Sequence, residues 1–265
     1  MNEKPSFAKR LLHSTLALDF KHQRIDVEAV PLTCPGLPQA FHLARIAVVA
    51  DVHLPDQVVS IPRLLRLLQM QRLDAIFLPG DLTNSYTDFD QKGLYALARE
   101  LTKIAPCFAV PGNHEQRLGR EPTYRRILEA CGVHYMSDSY ADWTRQGQTL
   151  RLYGMASRRP APLAVTGQPA IALAHKPNYL PYYRRARWDL VISGHAHGGQ
   201  MRIGGRTVYA PGQGLFPTYT GGVYRDGNTV MVVSRGLGNS SVPFRVGNRA
   251  HLPIVCLRRE DHYSD

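Results

Sequence analysis

The sequence predicts an α/β fold built around a mainly parallel sheet. Several short runs of aliphatic and β-branched residues are bounded by glycine and proline, which is typical of buried strands. In the first half of the chain these runs alternate with segments of helical periodicity, and a β-α-β-α-β-α order is typical of a parallel sheet. No internal repeat and no evident linker divides the chain. We therefore expect residues 43–265 to form one domain, preceded by a lead-in and an edge strand over residues 1–42.

The first half supplies the elements of this sheet in order. Alternating apolar and polar residues over 22–32 predict an edge strand. Central strands are predicted at three apolar runs, over residues 46–50, 75–78 and 107–110. Helices are predicted over residues 60–68, 88–103 and 121–130. Ser60 is a suitable N-cap for the first of these helices, and Gly132 ends the third.

After Val133 the pattern changes to short strands and turns. Strands are predicted over residues 150–153, 171–174, 190–192, 207–210, 229–234 and 254–257. The segment Tyr182–Trp188 interleaves aromatic residues with arginines, and this pattern leaves two alternatives open. It is typical of an ordinary helix whose aromatic rings pack on the sheet, and also of a belt at a membrane or nucleic-acid surface.

The charge balance favours an anionic partner. The 265 residues include 32 lysines and arginines against 21 aspartates and glutamates, which gives a net charge of +11. Such an excess is typical of proteins that bind phosphoesters, nucleic acid or an acidic lipid surface, although a solvated basic surface has the same composition. The arginines cluster at Arg158–Arg159, at Arg184–Arg185 with Arg187, at Arg202 with Arg206, and at Arg245 with Arg249.

Composition also bears on location. No window approaches the roughly 18 uninterrupted apolar residues of a membrane span. Residues 9–20 weakly resemble a signal peptide, but His13, Ser14 and Asp19 interrupt the apolar stretch and no cleavage motif follows. We expect a cytoplasmic protein, with peripheral association at the inner membrane face as a further hypothesis. The four cysteines are widely spaced and are expected to be reduced thiols.

Five of the predicted strands run into residues that can bind a metal. These residues are Asp51 and His53, Asp81, Asn113 with His114, His175, and His195 with His197. Because the carboxyl ends of strands in a helix-flanked sheet gather along one edge, we expect all eight side chains to lie close together. Their order and their position after strands, rather than any single motif, indicate one site.

This mixture of donors suits two divalent cations. A carboxylate can bridge a close pair of metals, and Asp81 is the candidate for that position. Neutral imidazoles complete each shell without cancelling the metal charge, so the centre keeps a positive surplus that attracts phosphate. A histidine-rich set suits Mn, Zn or Fe better than Mg or Ca, which prefer oxygen ligands. Such a pair stabilises both oxygens of an in-line displacement, so the sequence predicts a two-metal hydrolase.

These motifs resemble those of the calcineurin-like metallophosphoesterases, and the resemblance extends over nearly the whole chain from Arg45 onward. It implies a sandwich of two mixed β-sheets flanked by helices, and cleavage of a phosphodiester or pyrophosphate by metal-hydroxide attack. It also implies a ligand assignment: Asp51, His53 and His197 for one metal, Asn113, His175 and His195 for the other, and Asp81 between them. His114 would be a catalytic residue that stabilises the transition state or protonates the leaving alkoxide, and Glu115 would orient its ring.

One motif departs from the family pattern. The segment Gly80-Asp81-Leu82-Thr83-Asn84 has asparagine where many members have aspartate. Asn84 can still form a hydrogen bond near the site, although without charge. Ser85 and Tyr86 follow where the Ser/Thr protein phosphatases of this family continue with arginine and glycine, so the resemblance does not extend to that branch.

The C-terminal third resembles a bacterial branch of the superfamily. The resemblance rests on residues 195–200, 211–212, 219–222 and 233–238. That branch includes phosphodiesterases with peripheral membrane association and enzymes that cleave the pyrophosphate of UDP-2,3-diacylglucosamine in lipid A synthesis. A phosphoester or pyrophosphate substrate is therefore implied, with this lipid-linked nucleotide as the leading specific candidate.

Two alternative functions stay open. A phosphodiesterase acting on nucleotides or nucleic acid is compatible with the charge, although no nucleic-acid-binding module is recognised. A non-catalytic scaffold on the same fold is disfavoured, because this chain keeps every ligand and His114. The sequence predicts no protein partner and assigns no substrate-binding residue. It gives no function to the other histidines: His13, His22, His42, His134, His251 and His262.

Overall fold

The structure is a computed structural model that describes residues 24–157, 167–199, 201–203, 206–210, 214–239, 245 and 247–260. Several sequence features lie outside the described residues: the lead-in over residues 1–23, Arg158–Arg159, Gln200, Pro211–Gly212 and three histidines, His13, His22 and His262. Among the described residues, no helix is both long and apolar enough to cross a bilayer.

The described residues alternate short strands with short helices. The strands are β1 Ile25–Thr33, β2 Arg45–Val48, β3 Ala75–Leu78, β4 Cys107–Ala109, β5 His134–Tyr135, β6 Ser139–Arg145, β7 Gln148–Met155, β8 Ile171–Ala174, β9 Leu190–Ser193, β10 Met201–Ile203, β11 Arg206–Ala210, β12 Gly214–Leu215, β13 Gly222–Asp226, β14 Thr229–Val233 and β15 Ala250–Arg258. The α-helices are α1 Ile61–Gln69, α2 Gln91–Thr102, α3 Asn113–Gln116, α4 Glu121–Ala130 and α5 Leu180–Arg185. Single turns of 3-10 helix occur at Gln39–Phe41, Arg117–Gly119 and Pro177–Tyr179.

Two six-stranded mixed sheets form the body of the fold. The first has the order β1-β15-β2-β3-β4-β5, in which β2 to β5 are parallel and β15 is antiparallel to β2. The second has the order β13-β14-β9-β8-β7-β6, with β7, β8, β9 and β14 parallel. A third sheet is small and antiparallel, with the order β10-β11-β12. We refer to it below as the small sheet.

The two large sheets pack face to face through one apolar cluster. Phe77 and Phe108 of the first sheet meet Trp143 of the second, with ring centroids 5.9 Å and 6.3 Å from the indole. Helices α1, α2 and α4 cover the outer face of the first sheet, and α5 covers that of the second. The predicted α/β sandwich of mixed sheets flanked by helices is therefore confirmed.

The helices follow their sequence signals with small shifts. Helix α1 begins after Ser60 and buries Leu64 and Leu68 against the sheet, although the Ser60 hydroxyl makes no capping hydrogen bond. Helix α2 begins after Asp90, whose Oδ1 accepts a hydrogen bond of 2.8 Å from the backbone amide of Gly93. An N-cap therefore sets the start of α2 three residues after the predicted position at 88.

The aromatic and arginine segment forms an ordinary helix. Tyr183 and Trp188 are buried, with exposed fractions of 3% and 1%, so these rings pack in the core rather than form a belt at a surface. Arg184 points outward, and its Nη1 lies 3.0 Å from Oδ1 of Asp226. All four cysteines are free thiols, as predicted.

Candidate metal centre

All seven predicted metal ligands, together with His114, converge where five parallel strands end. Strands β2, β3 and β4 of the first sheet and β8 and β9 of the second each lead into a loop that carries one or more of them. Apart from Asn113, these residues form three overlapping groups, in each of which the ligand atoms lie within 4.8 Å of one another. The two sheets therefore contribute to one centre.

The first group contains Asp51, His53 and His197. His53 Nε2 lies 3.1 Å from His197 Nε2, and the two rings are stacked with centroids 4.9 Å apart. Asp51 is fully buried, and both of its carboxylate oxygens accept a hydrogen bond from the backbone amide of His195, at 2.9 and 3.0 Å. One carboxylate and two imidazoles thus converge within coordinating range of a single cation.

The second group contains Asp81, His175 and His195, with Asn113 beside it. His175 Nε2 lies 3.0 Å from Oδ2 of Asp81, 3.2 Å from Oδ1 of Asn113 and 3.1 Å from Nδ1 of His195. The other ring nitrogen of His175 lies 2.8 Å from the carbonyl oxygen of Pro79, which fixes its ring. These donors match the set implied for the second metal.

Asp81 stands between the two groups. It belongs to the second group and also to the third, which contains His53 and His114. Its Oδ1 accepts a hydrogen bond of 2.8 Å from the backbone amide of His114, which fixes the orientation of the carboxylate. A carboxylate in contact with ligands of both groups has the position expected of a bridge.

The backbone adopts an unusual conformation at most of these ligands. Five of them have positive φ: Asp51 at 53°, His53 at 57°, Asp81 at 54°, His195 at 71° and His197 at 49°. Left-handed backbone is uncommon for residues other than glycine and persists only where the surrounding structure imposes it. The loops therefore hold these side chains in place at a cost in backbone strain, as functional sites commonly do.

Two motif glycines allow the loops to approach one another. A Cβ atom at Gly80 would lie 2.5 Å from the backbone nitrogen of Gly112, and one at Gly112 would lie 2.1 Å from Oδ1 of Asp81. Any side chain at either position would push apart the loops that carry Asp81 and Asn113. The glycines of these motifs are therefore required by packing around the centre.

The buried groups of the centre differ in their protonation. Burial lowers the pKa values of His53 and His195 to about 3 and lowers that of His197 well below its usual value, so these rings are neutral and offer lone pairs. Burial opposes ionisation of Asp81 as well, but the neighbouring His175 outweighs it and lowers the pKa of that carboxyl group. Despite the burial of His175, Asp81 and Asp51 raise its pKa to about 9, so a cation must displace the proton from this ring before His175 can coordinate it. Burial raises the pKa of Asp51 to about 7, although the neighbouring His175 opposes the shift. The mixed nitrogen and oxygen donors suit Mn, Zn or Fe, so these residues fit the implied metals.

His114 points into the centre with a defined tautomer. The backbone amide of Ser85 donates a hydrogen bond of 2.9 Å to its Nδ1, so this nitrogen must be the acceptor and the proton of the neutral ring lies on Nε2. Nε2 is 4.0 Å from Oδ2 of Asp81 and thus faces the metal ligands. Burial lowers the pKa of His114, which favours this neutral form.

Glu115 does not contact the His114 ring, contrary to the orienting role that the family resemblance implied for it. Its carboxylate is fully buried and accepts hydrogen bonds from the backbone amides of Asp81, Thr83 and Gly112, at 2.9, 3.0 and 2.8 Å, and from the Thr83 hydroxyl at 3.0 Å. Glu115 is at the third position of α3, where a carboxylate readily reaches back to the helix start. It therefore joins the loops after β3 and β4, while Ser85 orients His114.

Asn84 is turned away from the centre. Its side-chain amide donates a hydrogen bond of 2.8 Å to Oδ2 of Asp56, and its side-chain oxygen accepts one of 3.0 Å from the Tyr86 amide. The position where many family members have aspartate therefore supports the loop. Tyr86 lies against His114 instead, with ring centroids 5.2 Å apart, and its hydroxyl accepts a hydrogen bond of 2.9 Å from Arg117.

Comparison with known proteins agrees with this geometry. Residues 44–199 match the family model of the calcineurin-like phosphoesterases, which is more than half of the chain. The chain belongs to this family. Its members are metal-dependent phosphoester hydrolases that typically bind two divalent metals, so the family and the clustered donors point to the same kind of centre.

The relatives are distant but cover much of the chain. A protein of Danio rerio named as a transmembrane protein with a metallophosphoesterase domain is 25% identical over 89% of this chain and 57% of its own length. Phosphodiesterase YaeI of Escherichia coli (strain K12) is 26% identical over 64% of this chain and 65% of its own length. The uncharacterized metallophosphoesterase YkoQ of Bacillus subtilis (strain 168) is 27% identical over 81% and 83%. The chain spans less than two thirds of the length of the first two relatives.

Among solved structures, similarity is found to phosphopantetheinyl hydrolase from Mycobacterium tuberculosis. The TM-score is 0.45 at 11% identity, and the match covers 73% of this chain and 89% of that one. NAD nucleotidase from Haemophilus influenzae gives a TM-score of 0.46 at 13% identity, covering 74% and 45%.

A cavity of about 210 Å³ adjoins the second group of ligands. Its wall includes Asn113 and His175 together with Lys176, Gln116 and Tyr179. Lys176, the residue after His175, also lines the cavity. No sequence pattern predicts this cavity, because its walls come from α3, β7 and the segment after β8.

Arg245 also belongs to the centre, although the sequence pattern grouped it with Arg249 as part of a basic cluster. Its guanidinium is buried, donates to the carbonyl oxygens of Gly238 and Arg235, and lies 3.4 Å from Nδ1 of His197. Burial lowers its pKa to about 10, although the Asp51 carboxylate opposes the shift. Arg245 is therefore a buried cation that supports the first group rather than part of a surface cluster.

Proposed function

We propose that the protein is a two-metal phosphoesterase that hydrolyses a phosphodiester or a pyrophosphate. The position of Asp81 between two groups of buried ligands carries this proposal, because a shared carboxylate is what a close pair of cations requires. Asp51, His53 and His197 would hold one metal, and Asn113, His175 and His195 the other. The name of the Escherichia coli relative, a phosphodiesterase, supports the reaction class.

The side chains around the metals supply the other catalytic interactions. The metals would supply Lewis acidity and activation of water at neutral pH. His114 presents its Nε2–H to the reacting phosphoryl group as a hydrogen-bond donor. Because the Ser85 amide donates to Nδ1, a second proton on that nitrogen is disfavoured, and a neutral ring is a poor general acid. Of the two roles considered for His114, stabilisation of the transition state is therefore the better supported.

Replacing His114 with alanine should lower kcat by about a hundredfold or more while both metals stay bound, because it removes one donor to developing negative charge. Steady-state hydrolysis of an aryl phosphodiester, with metal content measured by elemental analysis, checks both parts. His134→Ala is the matched control, because it removes an exposed histidine on β5 that lies outside the centre, and it should remain fully active. Loss of one metal equivalent in His114→Ala would instead make His114 a ligand.

The cavity bears on the choice of substrate. A volume of about 210 Å³ accommodates a small group beyond the reacting phosphate and is below the size typical of pockets for larger ligands. Lys176 at its edge would favour a second negative charge, as in a pyrophosphate. A lipid-linked nucleotide such as UDP-2,3-diacylglucosamine satisfies this if its acyl chains stay outside the cavity. We keep it as the leading specific substrate, at the cytoplasmic face of a membrane, with a nucleotide or nucleic-acid phosphodiester as the alternative.

The test compares two substrates with the manganese-loaded protein: UDP-2,3-diacylglucosamine in detergent and a small aryl phosphodiester. Release of UMP at much higher kcat/KM than the aryl product would establish the lipid-linked pyrophosphate. In that case Lys176→Met should lower kcat/KM for the pyrophosphate and spare the aryl diester. Cleavage of the aryl diester alone would keep the two-metal phosphoesterase and favour nucleotide substrates. Failure on both substrates with Mn, Zn and Fe would contradict the proposed function.

A further inference from the structure

The small sheet carries an unusual concentration of exposed apolar side chains. Ile203, Leu215 and Phe216 have exposed fractions of 68%, 70% and 74%, and Tyr209 is also exposed. Tyr209 and Leu215 are cross-strand neighbours, and the backbone amide of Phe216 donates a hydrogen bond of 3.0 Å to Val208. Solvent-exposed apolar side chains that cluster in this way mark an interaction surface. We call these four residues the apolar tip.

The apolar tip is tied to the metal centre. Strand β10 follows the His197 loop, and the Thr207 hydroxyl and Arg202 Nη1 donate hydrogen bonds of 2.9 and 3.0 Å to the carbonyl oxygen of Gly198. Asn248 holds the same loop, since its side-chain amide donates a hydrogen bond of 2.7 Å to the His197 carbonyl oxygen. Whatever binds the tip is therefore held near the catalytic centre.

The charge beside the apolar tip and the small size of the tip indicate whether it binds a lipid surface or a second copy of the chain. Arg206 is exposed and lies opposite Ile203 in the strand register, and the whole chain has a net charge of +11. Apolar side chains beside an arginine suit the boundary between acyl chains and anionic headgroups. A stable protein interface buries about 800 Å² on each partner, which four side chains on three short strands do not provide. These features favour a lipid surface over a second copy of the chain.

We propose that the apolar tip docks the protein on anionic membranes, with Ile203, Leu215 and Phe216 entering the acyl boundary and Arg206 contacting headgroups. The consequence of docking rests on the proposed function, because a docked phosphoesterase can reach the phosphoesters or pyrophosphates of membrane lipids. It replaces the earlier hypothesis that the Tyr182–Trp188 segment forms the membrane contact, because the rings of Tyr183 and Trp188 are buried.

Vesicle flotation of the full-length, metal-loaded protein tests the docking. Leu215→Ser combined with Phe216→Asn should lower the partition coefficient on phosphatidylcholine–phosphatidylglycerol vesicles at least about tenfold, since it removes two large apolar side chains. Asparagine is chosen because Phe216 has φ 50°, which asparagine tolerates. Met70→Ser is the matched control, because Met70 is 75% exposed at the C-terminal end of α1, outside the small sheet, and the variant should bind like the parent protein.

The remaining readouts separate this inference from the proposed function. Arg206→Glu should weaken binding to the anionic vesicles and leave residual binding to pure phosphatidylcholine unchanged. All variants should hydrolyse the soluble aryl diester like the parent protein, so lost vesicle binding with full activity confirms the docking alone. A parent protein that does not float, or a double variant that floats like Met70→Ser, would overturn it. Dissociation of a dimer by the double variant in analytical ultracentrifugation would also overturn it, in favour of a second copy.

Discussion

Replacing Asp81 with alanine should reduce kcat for a phosphodiester at least about a thousandfold, because the loss affects both metal positions together. Asp81 Oδ2 lies 3.0 Å from Nε2 of His175 of the second group, and an Asp81 carboxylate oxygen also lies within 4.8 Å of a ring nitrogen of His53 of the first group, so its removal takes a shared carboxylate from both groups. A protein that loses one bound metal also loses the surplus positive charge that attracts the phosphate. No other single substitution in the centre is expected to lower activity as far.

Two further variants make this result interpretable. Asp81→Asn preserves the shape of the side chain and an oxygen for the His114 amide, so a loss similar to that of Asp81→Ala would assign the effect to charge. Asp142→Ala removes an exposed carboxylate paired with Arg151 and should leave activity unchanged. Metal content and kcat are measured on the same samples. An Asp81→Ala protein with two metals and near-parental kcat would exclude Asp81 as the bridge.

The convergence of these side chains was predictable from sequence because each one lies in the segment that follows a buried strand. Strand segments such as Ala75–Leu78 are apolar throughout, so the residue at which each strand ends is easy to recognise in the sequence. Parallel pairing then brings the ends of successive strands to the same edge of the sheet. The conformation of the loops was not predictable. The left-handed backbone at Asp51 and His195 occurs without glycine or asparagine at those positions, and it depends on contacts between loops distant in sequence.

The support of His114 was misassigned for a related reason. The family resemblance implied Glu115 as its partner, yet adjacent residues on a helix turn point in different directions. Glu115 therefore reaches back to the start of α3 while His114 faces the centre and meets Ser85 from the loop after β3. The small sheet was missed in part because β10 and β12 are only three and two residues long, too short for a periodic pattern.

Replacing Glu115 with glutamine should cost about 2–5 kcal/mol of unfolding free energy, the largest stability effect that we expect from an isosteric change. Each carboxylate oxygen accepts two hydrogen bonds, Oε1 from the amide and hydroxyl of Thr83 and Oε2 from the amides of Asp81 and Gly112. An amide has only one oxygen, so its NH₂ group must face two donors. At least one buried backbone amide then loses its partner, or the loops after β3 and β4 separate.

Denaturant unfolding of the metal-free protein isolates this effect from metal binding. Glu129→Gln is the matched control, because its carboxylate pairs with Arg125 on the exposed face of α4 and the variant should leave the free energy of unfolding nearly unchanged. If Glu115 acted on His114, its glutamine variant would lose activity at parental stability. If it joins the two loops, stability falls first, and added metal restores part of it because bound cations draw Asp81 and Asn113 back together. The order of these losses therefore separates a loop-joining carboxylate from a catalytic one.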